Sequence, residues 1–212
     1  SKQKLNGYND LPVSAFIDKA DGVIEQGTSK YEKRGVSHYI PIWNPDGCIQ
    51  CNRCAYVCPH AVIRPAILNK SDMTEKSDSM MTTEMKAMND LHFAITVSAL
   101  DCTGCGVCTT VCPGNIKNDV LVMKNVSDRE EKVRIQKNFE FGQIKGDTKT
   151  ENEYGNIEKK FDRFTVKGSQ FVKPYLEYSG ACAGCGETPY AKLITQLYGD
   201  KMIIANATGC SS

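Results

Sequence analysis

At 212 residues, of which 41% are hydrophobic, the chain is long enough for one or two domains with an ordinary core. Its formal net charge of +1 gives no electrostatic reason to expect nucleic acid or an anionic membrane as a partner. No run of about eighteen apolar residues is present to span a bilayer, and the first ten residues are polar, unlike a signal peptide. The eleven cysteines are clustered, which favours metal ligation in a reducing cytoplasm over disulfide formation.

The first 40 residues are predicted to form an extended connector. Polar and turn-forming residues surround two short apolar stretches there, at residues 13–17 and 23–24. Residues 36–43 then predict a strand, interrupted by Pro41, that leads into a group of cysteines.

Two groups of four cysteines share the spacing C-x2-C-x2-C-x3-C-P, which binds two 4Fe-4S clusters with an exchange of ligands between the groups. The groups are Cys48, Cys51, Cys54 and Cys58 before Pro59, and Cys102, Cys105, Cys108 and Cys112 before Pro113. The first three cysteines of a group reach three irons of one cluster, and the fourth iron takes the last cysteine of the other group. The expected ligands are Cys48, Cys51, Cys54 and Cys112 for cluster I, and Cys102, Cys105, Cys108 and Cys58 for cluster II.

A pair of structural zinc sites is the alternative, because C-x2-C spacing serves both metals. Zinc motifs usually come as separated pairs, whereas each group here ends in a fourth cysteine and a proline. Gly47, Gly104 and Gly106 also let the backbone approach inorganic sulfide closely. The spacing therefore favours iron-sulfur clusters and the transfer of single electrons.

The segments beside the cysteine groups predict strands. Residues 61–68 are apolar but broken by Arg64 and Pro65, which is typical of a short edge strand. Residues 94–100 and 120–123 predict a strand before and a strand after the second group. Residues 124–160 are charged and are predicted to form a solvated linker or surface arm.

The stretch between the two cysteine groups is long enough to be an insertion with its own structure. A helix is predicted there from the helical spacing of three methionines and from a capping residue and a first-turn acid: Met81, Met85, Met88, Thr83 and Glu84. We interpret the methionines as adaptable packing residues, and a methionine metal site is the alternative.

Three further cysteines, Cys182, Cys185 and Cys210, supply three ligands for a site that needs four. Three unrelated free thiols are the alternative, although Cys182 and Cys185 have ligand spacing. The fourth ligand is expected outside the sequence. The chain begins with Ser1 and stops just past Cys210, which is typical of a piece of a longer polypeptide.

A helix is predicted between these cysteines, with Thr188 as its cap, Pro189 at its first position and Gly199 at its end. Its apolar face is expected to comprise Tyr190, Leu193, Ile194, Leu197 and Tyr198. Residues 202–205 predict a buried parallel strand. Residues 208–210 are then the turn at its carboxyl end, where open α/β sheets bind cofactors.

Residues 180–190 (GACAGCGETPY) and 205–212 (ANATGCSS) closely resemble the pyruvate:ferredoxin (flavodoxin) oxidoreductase family of thiamine-diphosphate enzymes. Residues 47–54 and 58–61 resemble the ferredoxin-like domain inserted in those enzymes. The resemblance implies an α+β fold in which a two-cluster ferredoxin-like domain with an insertion joins the beginning of an α/β thiamine-diphosphate-binding domain. The expected boundaries are 1–40 for the connector, 41–155 for the two-cluster domain and 156–212 for the third part.

In this family, the resemblance implies, a third 4Fe-4S cluster nearest the thiamine is held by Cys182, Cys185, Cys210 and a later cysteine. Glu187 is implied to lie near the thiamine diphosphate. The complete enzyme is expected to bind thiamine diphosphate and Mg²⁺ and to convert pyruvate and coenzyme A to acetyl-CoA and CO2. Its electrons are expected to pass through three clusters to ferredoxin or flavodoxin, and the enzyme is expected to be a homodimer.

Some family features are absent from the sequence. Residues 199–201 (GDK) differ from the Gly-Asp-Gly motif that begins magnesium-diphosphate binding, and no residues match pyruvate or coenzyme A sites. The segment alone is therefore not expected to complete the reaction. An oxidoreductase for another 2-oxoacid and a free-standing carrier of ferredoxin type are the alternatives. His38, His60 and His92 are interpreted as surface or packing residues, with metal ligation as the alternative. Arg53 is either a solvated residue or one that raises a cluster potential or contacts an acidic ferredoxin.

Overall fold

The computed structural model describes residues 12–25, 27–150, 157, 159–207 and 209, which form a mixed α+β structure. Its strands and longer helices are, in order, β1 (Tyr39–Trp43), α1 (Arg53–Tyr56), β2 (Ile63–Leu68), α2 (Lys70–Glu75), β3 (Thr83–Glu84), β4 (His92–Val97), α3 (Val107–Thr110), β5 (Leu121–Asn125), α4 (Arg129–Thr150), α5 (Val166–Ser169) and α6 (Thr188–Tyr198). Short 3-10 helices cover Val13–Lys19, Thr28–Tyr31, Pro113–Ile116 and Gly199–Lys201. Within the described ranges, no helix has the length and apolar character needed to cross a membrane.

Two small antiparallel sheets hold the cysteine groups side by side. Strand β1, before the first group, pairs with β5, which follows the second group. Strand β2, after the first group, pairs with β4, which precedes the second group, and β3 lies on the other side of β4. The predicted strands around the cysteine groups are confirmed, and β2 lies at an edge of its sheet as predicted.

The hydrophobic core lies between these sheets. Trp43 of β1 packs edge to face on Phe93 of β4, with the ring centroids 6.1 Å apart. Buried aliphatic side chains from both sheets complete the core, among them Ile40, Ile63, Leu68, Ile95 and Leu121. Three of the cysteines, Cys58, Cys102 and Cys108, belong to this same core.

Helix α4 covers β2 and β4, so the prediction of a solvated linker at residues 124–160 was wrong for this part of the chain. Its buried positions recur at helical spacing but include Lys132, Gln136 and Gly142. Lys132 donates from Nζ to the carbonyl oxygens of Gly35 and Ser37. Because polar and small residues occupy the packed face, apolar periodicity does not reveal this helix.

The methionine-rich part of the insertion does not form the predicted helix. Thr83–Glu84 is strand β3, and the backbone N–H of Met85 donates to the carbonyl of Leu91 at 2.9 Å. Met85 is buried in the core, whereas Met81 is half exposed. The helix of the insertion is α2, which begins with a capping box between Asn69 and Asp72.

The helix predicted near the end of the chain is confirmed as α6, but two details were wrong. Thr188 is its first residue and Glu187 precedes it, so Thr188 is not the cap. Its apolar residues Tyr190, Ile194 and Tyr198 are largely exposed, while the buried positions are Thr188, Lys192, Thr195 and Gln196. The helix therefore packs on the ferredoxin-like part of the chain through its polar face.

The strand predicted at residues 202–205 is not formed. These residues adopt no regular secondary structure, and Ile203 and Ile204 are exposed. A parallel strand needs neighbours to bond its backbone, and the described residues provide none here. The predicted turn at residues 208–210 lies mainly outside the described residues.

The expected connector contains the two 3-10 helices before residue 36, neither of which buries a side chain. It is attached at a few points: the Ser29 hydroxyl donates to the carbonyl of Glu177 at 2.9 Å, and Gly35 N–H donates to the carbonyl of Leu100 at 2.7 Å. The boundary at residue 40 stays a prediction.

Candidate iron-sulfur sites

The two cysteine loops adopt matching backbone conformations. In each loop the second and the fourth residue after the first cysteine have positive φ: Gln50 (57°) and Asn52 (59°) in the first, Gly104 (71°) and Gly106 (76°) in the second. Such left-handed positions turn successive backbone N–H groups toward one side of the loop. Both loops are therefore shaped to point amides at a negatively charged group.

The second loop has no room for a larger residue at Gly104. A Cβ atom placed there would lie 2.2 Å from the Ser37 hydroxyl oxygen and 3.0 Å from the carbonyl oxygen of Tyr39. Close packing and positive φ both require glycine at this position.

The first loop instead holds two non-glycine residues in the left-handed region through their side chains. Gln50 Nε2 donates to the carbonyl of Glu84 at 2.7 Å, and its Oε1 accepts from Lys86 N–H at 2.8 Å. Asn52 Nδ2 donates to the carbonyl of Lys167 at 2.9 Å. The insertion and helix α5 thus stabilise the first loop.

Replacing Gln50 tests this support. Gln50→Ala removes both side-chain bonds and leaves a Cβ in the left-handed region, so we expect the loop to lose its metal faster. Gln50→Gly removes the same bonds without the left-handed penalty, which is about 1–2 kcal/mol. The rate of iron release to a chelator should be highest for Gln50→Ala, and equal rates for the two variants would contradict the backbone argument.

The structure brings the eight cysteines together around two cavities. One cavity is lined by Cys48, Cys51, Cys54 and Cys112, together with apolar residues that include Trp43, Phe93, Ile95 and Leu121. The other is lined by Cys58, Cys102, Cys105 and Cys108, with Pro41, Val62, Ile63 and Met123. Cys58 and Cys112 therefore each line the cavity of the other group.

Each cavity offers similar space and similar donors. The space between the lining atoms is about 380 Å³ in the first and about 320 Å³ in the second, mouths included. The N–H of Gln50 donates to Cys48 Sγ at 3.4 Å, and the N–H of Gly104 donates to Cys102 Sγ at 3.4 Å. Hydrogen bonds to ligand sulfur are one means by which proteins set cluster potentials.

The buried thiols need a cation to ionise. Burial raises the pKa of Cys54 well above its ordinary value, and burial raises the pKa of Cys102 to about 12. Burial also raises the pKa of Cys108. Iron supplies the positive charge that makes thiolates stable in such surroundings, so the donor set fits an iron-sulfur cluster.

A single zinc ion would need four sulfurs at about 2.3 Å from one point. The cysteines instead line two cavities of about 380 and about 320 Å³, mouths included, and this space favours a multi-iron cluster. None of the ten cysteines that the structure describes forms a disulfide.

The third cysteine group is only partly described. Cys182 is exposed and Cys185 is partly exposed, and the loop closes through a bond from Cys185 N–H to the carbonyl of Cys182 at 3.0 Å. Backbone N–H groups of Thr188 and Glu187 lower the pKa of the Cys185 thiol. The Glu187 side chain is exposed, and Cys210 lies outside the described residues.

This loop packs against the second ferredoxin loop. A Cβ atom on Gly184 would lie 3.5 Å from the Cβ of Cys105 and 3.7 Å from Val107 Cγ2. His60 Nδ1 lies 3.0 Å from the carbonyl oxygen of Ser179, and Tyr178 N–H donates to the carbonyl of His60 at 2.9 Å. His60, a buried packing residue beside Pro59, thus connects the Cys58 cavity to the segment before Cys182.

Sequence reasoning missed Lys192, which is 1% exposed. Burial lowers its pKa to about 8, and the nearby thiols of Cys58 and Cys54 act in the opposite direction. The sequence gives one weak signal for it: Thr188, Lys192, Thr195 and Gln196 form a polar stripe opposite the apolar face of α6.

Comparisons with known proteins agree with this geometry. Residues 47–115 match the family of 4Fe-4S double cluster binding domains, and residues 6–37 match a domain of unknown function. The chain is 49% identical over 207 residues to the pyruvate:ferredoxin oxidoreductase of Moorella thermoacetica and 45% identical over 204 residues to the pyruvate-flavodoxin oxidoreductase of Klebsiella pneumoniae.

Both matches cover 96% of this chain and 16% of the relative. A pyruvate dehydrogenase (NADP+) of Cryptosporidium parvum is 43% identical over 96% of the chain and 10% of that relative. The chain therefore spans about a sixth or less of the length of the curated relatives that it matches. Over nearly its whole length, the chain is similar to one segment of the pyruvate:ferredoxin and pyruvate-flavodoxin oxidoreductases.

Proposed function

We propose that this chain is the electron-transfer segment of a pyruvate:ferredoxin or pyruvate-flavodoxin oxidoreductase. One observation carries the proposal: eight cysteines with two-cluster spacing line two cavities, and Cys58 and Cys112 each line the cavity of the opposite group. The identity of 40–49% to such enzymes supports the same assignment. The segment would carry single electrons away from the site of pyruvate oxidation.

The proposed cluster ligands follow the lining of the cavities. Cluster I is assigned to Cys48, Cys51, Cys54 and Cys112, and cluster II to Cys58, Cys102, Cys105 and Cys108. The two amides that donate to Cys48 and Cys102, and the apolar walls of both cavities, support these sets. A dry, apolar wall keeps water from the cluster and so influences its potential.

The third cluster is assigned to Cys182, Cys185, Cys210 and a cysteine elsewhere in the complete protein. The N–H of Glu187 donates to Cys185 Sγ at 3.4 Å, the same distance as the amide-to-sulfur bonds at Cys48 and Cys102. Similar amide donation at all three sites supports a similar ligand role. We place Glu187 near the thiamine diphosphate, since it is exposed directly after this loop.

The contacts of the Cys182 loop support an order for the electron path. Because Gly184 packs on the loop of Cys105 and Val107, cluster II would lie nearer than cluster I to the third cluster. Electrons would then pass from the third cluster to cluster II and on to cluster I. The surface near cluster I, where Ile49 and Lys86 are exposed, would be where the acceptor takes them.

In the complete enzyme, thiamine diphosphate with Mg²⁺ would supply the chemistry that decarboxylates pyruvate. The balanced reaction converts pyruvate and coenzyme A to acetyl-CoA, CO2, one proton and two electrons. We propose ferredoxin or flavodoxin as the acceptor, a homodimer as the assembly and the cytoplasm as the compartment. Residues 156–212 would begin the thiamine-diphosphate-binding domain and join it to the two-cluster domain.

Iron and sulfide analysis of the anaerobically purified full-length protein tests the proposal. Three clusters predict roughly twelve irons and twelve sulfides per chain. Cys182→Ser is the matched control and should leave roughly eight of each, because only the third cluster loses a ligand. Stoichiometric zinc without sulfide would contradict the proposal.

A further inference from the structure

The side chain of Lys192 forms a buried connection between α6 and the first cysteine group. It is 1% exposed, and its Nζ donates to the carbonyl oxygens of Ala55, Tyr56 and Cys58 at 2.5, 3.0 and 3.3 Å. An ammonium group has three donors, so the three carbonyls satisfy it completely. The described residues place no carboxylate within ion-pair distance of Lys192 to neutralise its charge.

The position of this charge relative to the two cavities is informative. Cys54 lines the first cavity and Cys58 lines the second. The carbonyls that bind Lys192 belong to Ala55, Tyr56 and Cys58, in the segment that runs from Cys54 to Cys58. The ammonium group therefore contacts the backbone segment that carries one proposed ligand of each cluster, Cys54 and Cys58. Because it is buried, its field is screened less than that of a surface lysine.

Reduction adds one negative charge to a cluster, and a buried ammonium group nearby stabilises the reduced form more than the oxidised form. We propose that Lys192 raises the reduction potentials of clusters I and II and is a positioning residue for electron transfer between them. The inference rests on the proposed cluster sites. Because α6 directly follows the Cys182–Cys185 loop, the same side chain also fixes that loop against the ferredoxin-like domain.

The test compares reduction potentials in the full-length anaerobic protein by redox titration followed by electron paramagnetic resonance. Lys192→Met and Lys192→Gln remove the charge, and the glutamine retains two donors for the carbonyls. Lys192→Arg keeps the charge. Lys137→Met, at an exposed position of α4, is the matched control for loss of a lysine.

At a fixed ambient potential, we expect the ratio of reduced to oxidised cluster to fall about tenfold for both clusters in Lys192→Met and Lys192→Gln, equivalent to about 59 mV for a one-electron couple. The ratio should change less than about twofold in Lys192→Arg and Lys137→Met, because neither removes the buried charge. A change in electron paramagnetic resonance amplitude without a shift in potential would contradict the proposal.

Unchanged potentials in the neutral variants, with a full complement of iron, would overturn the proposal and leave the proposed function intact. Loss of both clusters from both neutral variants, with normal loading of Lys192→Arg, would also overturn it, because the charge would then serve folding alone. Absence of clusters from the unsubstituted protein would instead refute the proposed function itself.

Discussion

Replacing Cys58 with serine is expected to remove cluster II, although Cys58 belongs to the first cysteine group. Cys58 lines the cavity of Cys102, Cys105 and Cys108, whereas its neighbours in sequence line the other cavity. A [4Fe-4S] cluster that loses a thiolate ligand exposes one iron and is prone to loss. Cys58→Ser should therefore reduce the iron content by roughly four per chain and abolish the spectrum of cluster II.

The reciprocal variant provides the control. Cys112→Ser should remove cluster I and leave cluster II in place, because Cys112 lies with Cys48, Cys51 and Cys54. Electron paramagnetic resonance of the reduced proteins distinguishes the remaining clusters. If Cys58→Ser abolished the cluster of its own group, each group would bind its cluster locally, and the exchange of ligands would be wrong.

The second large effect is expected at Arg64, a buried residue of β2. Its guanidinium group forms an ion pair with Glu177 and donates from Nη1 to Gln143 Oε1 at 3.1 Å, and it lies near the ring of Tyr178. The side chains of Arg64 and Glu177 are only 9% and 13% exposed. Arg64→Leu leaves the carboxylate of Glu177 buried without this partner, which typically costs about 3–5 kcal/mol.

This loss is measurable as a lower denaturant midpoint for bleaching of the visible absorption of the clusters. Arg34→Leu is the matched control, because Arg34 pairs with Glu32 on the surface, where the two side chains are 58% and 55% exposed. That change should cost less than about 1 kcal/mol. Equal effects of Arg64→Leu and Arg34→Leu would contradict the role assigned to the buried pair.

The cysteine loops could be predicted because their conformation depends on the spacing of residues close together in the sequence. Three-residue steps between cysteines dictate how a loop surrounds a cluster, and the strands beside the loops have clear apolar patterns. The contact between the Cys182 loop and the Cys105 loop could not be predicted, because it joins residues nearly 80 positions apart. The stabilising bonds of Gln50 and Asn52 also depend on segments distant in sequence.

Errors arose where packing overrides local pattern. The buried face of α4 includes Lys132 and Gln136, whose polar atoms are satisfied by backbone and side-chain groups that only the folded chain provides. In α6 the polar face is buried and the apolar face is exposed. The helix predicted from the spacing of the methionines was wrong for another reason: Met85 and Met88 are joined by a hydrogen-bonded turn and do not lie in a helix.

The two cysteine loops are stabilised in different ways, and this difference limits how the domain can be shortened. Gly104 and Gly106 adopt left-handed geometry without help from side chains, whereas Gln50 depends on Glu84 and Lys86 in the insertion. A miniaturised version lacking residues 69–91 would therefore need glycine at position 50 to keep its first loop. Insertion length and residue identity at this position should thus be chosen together in any engineered electron carrier based on this scaffold.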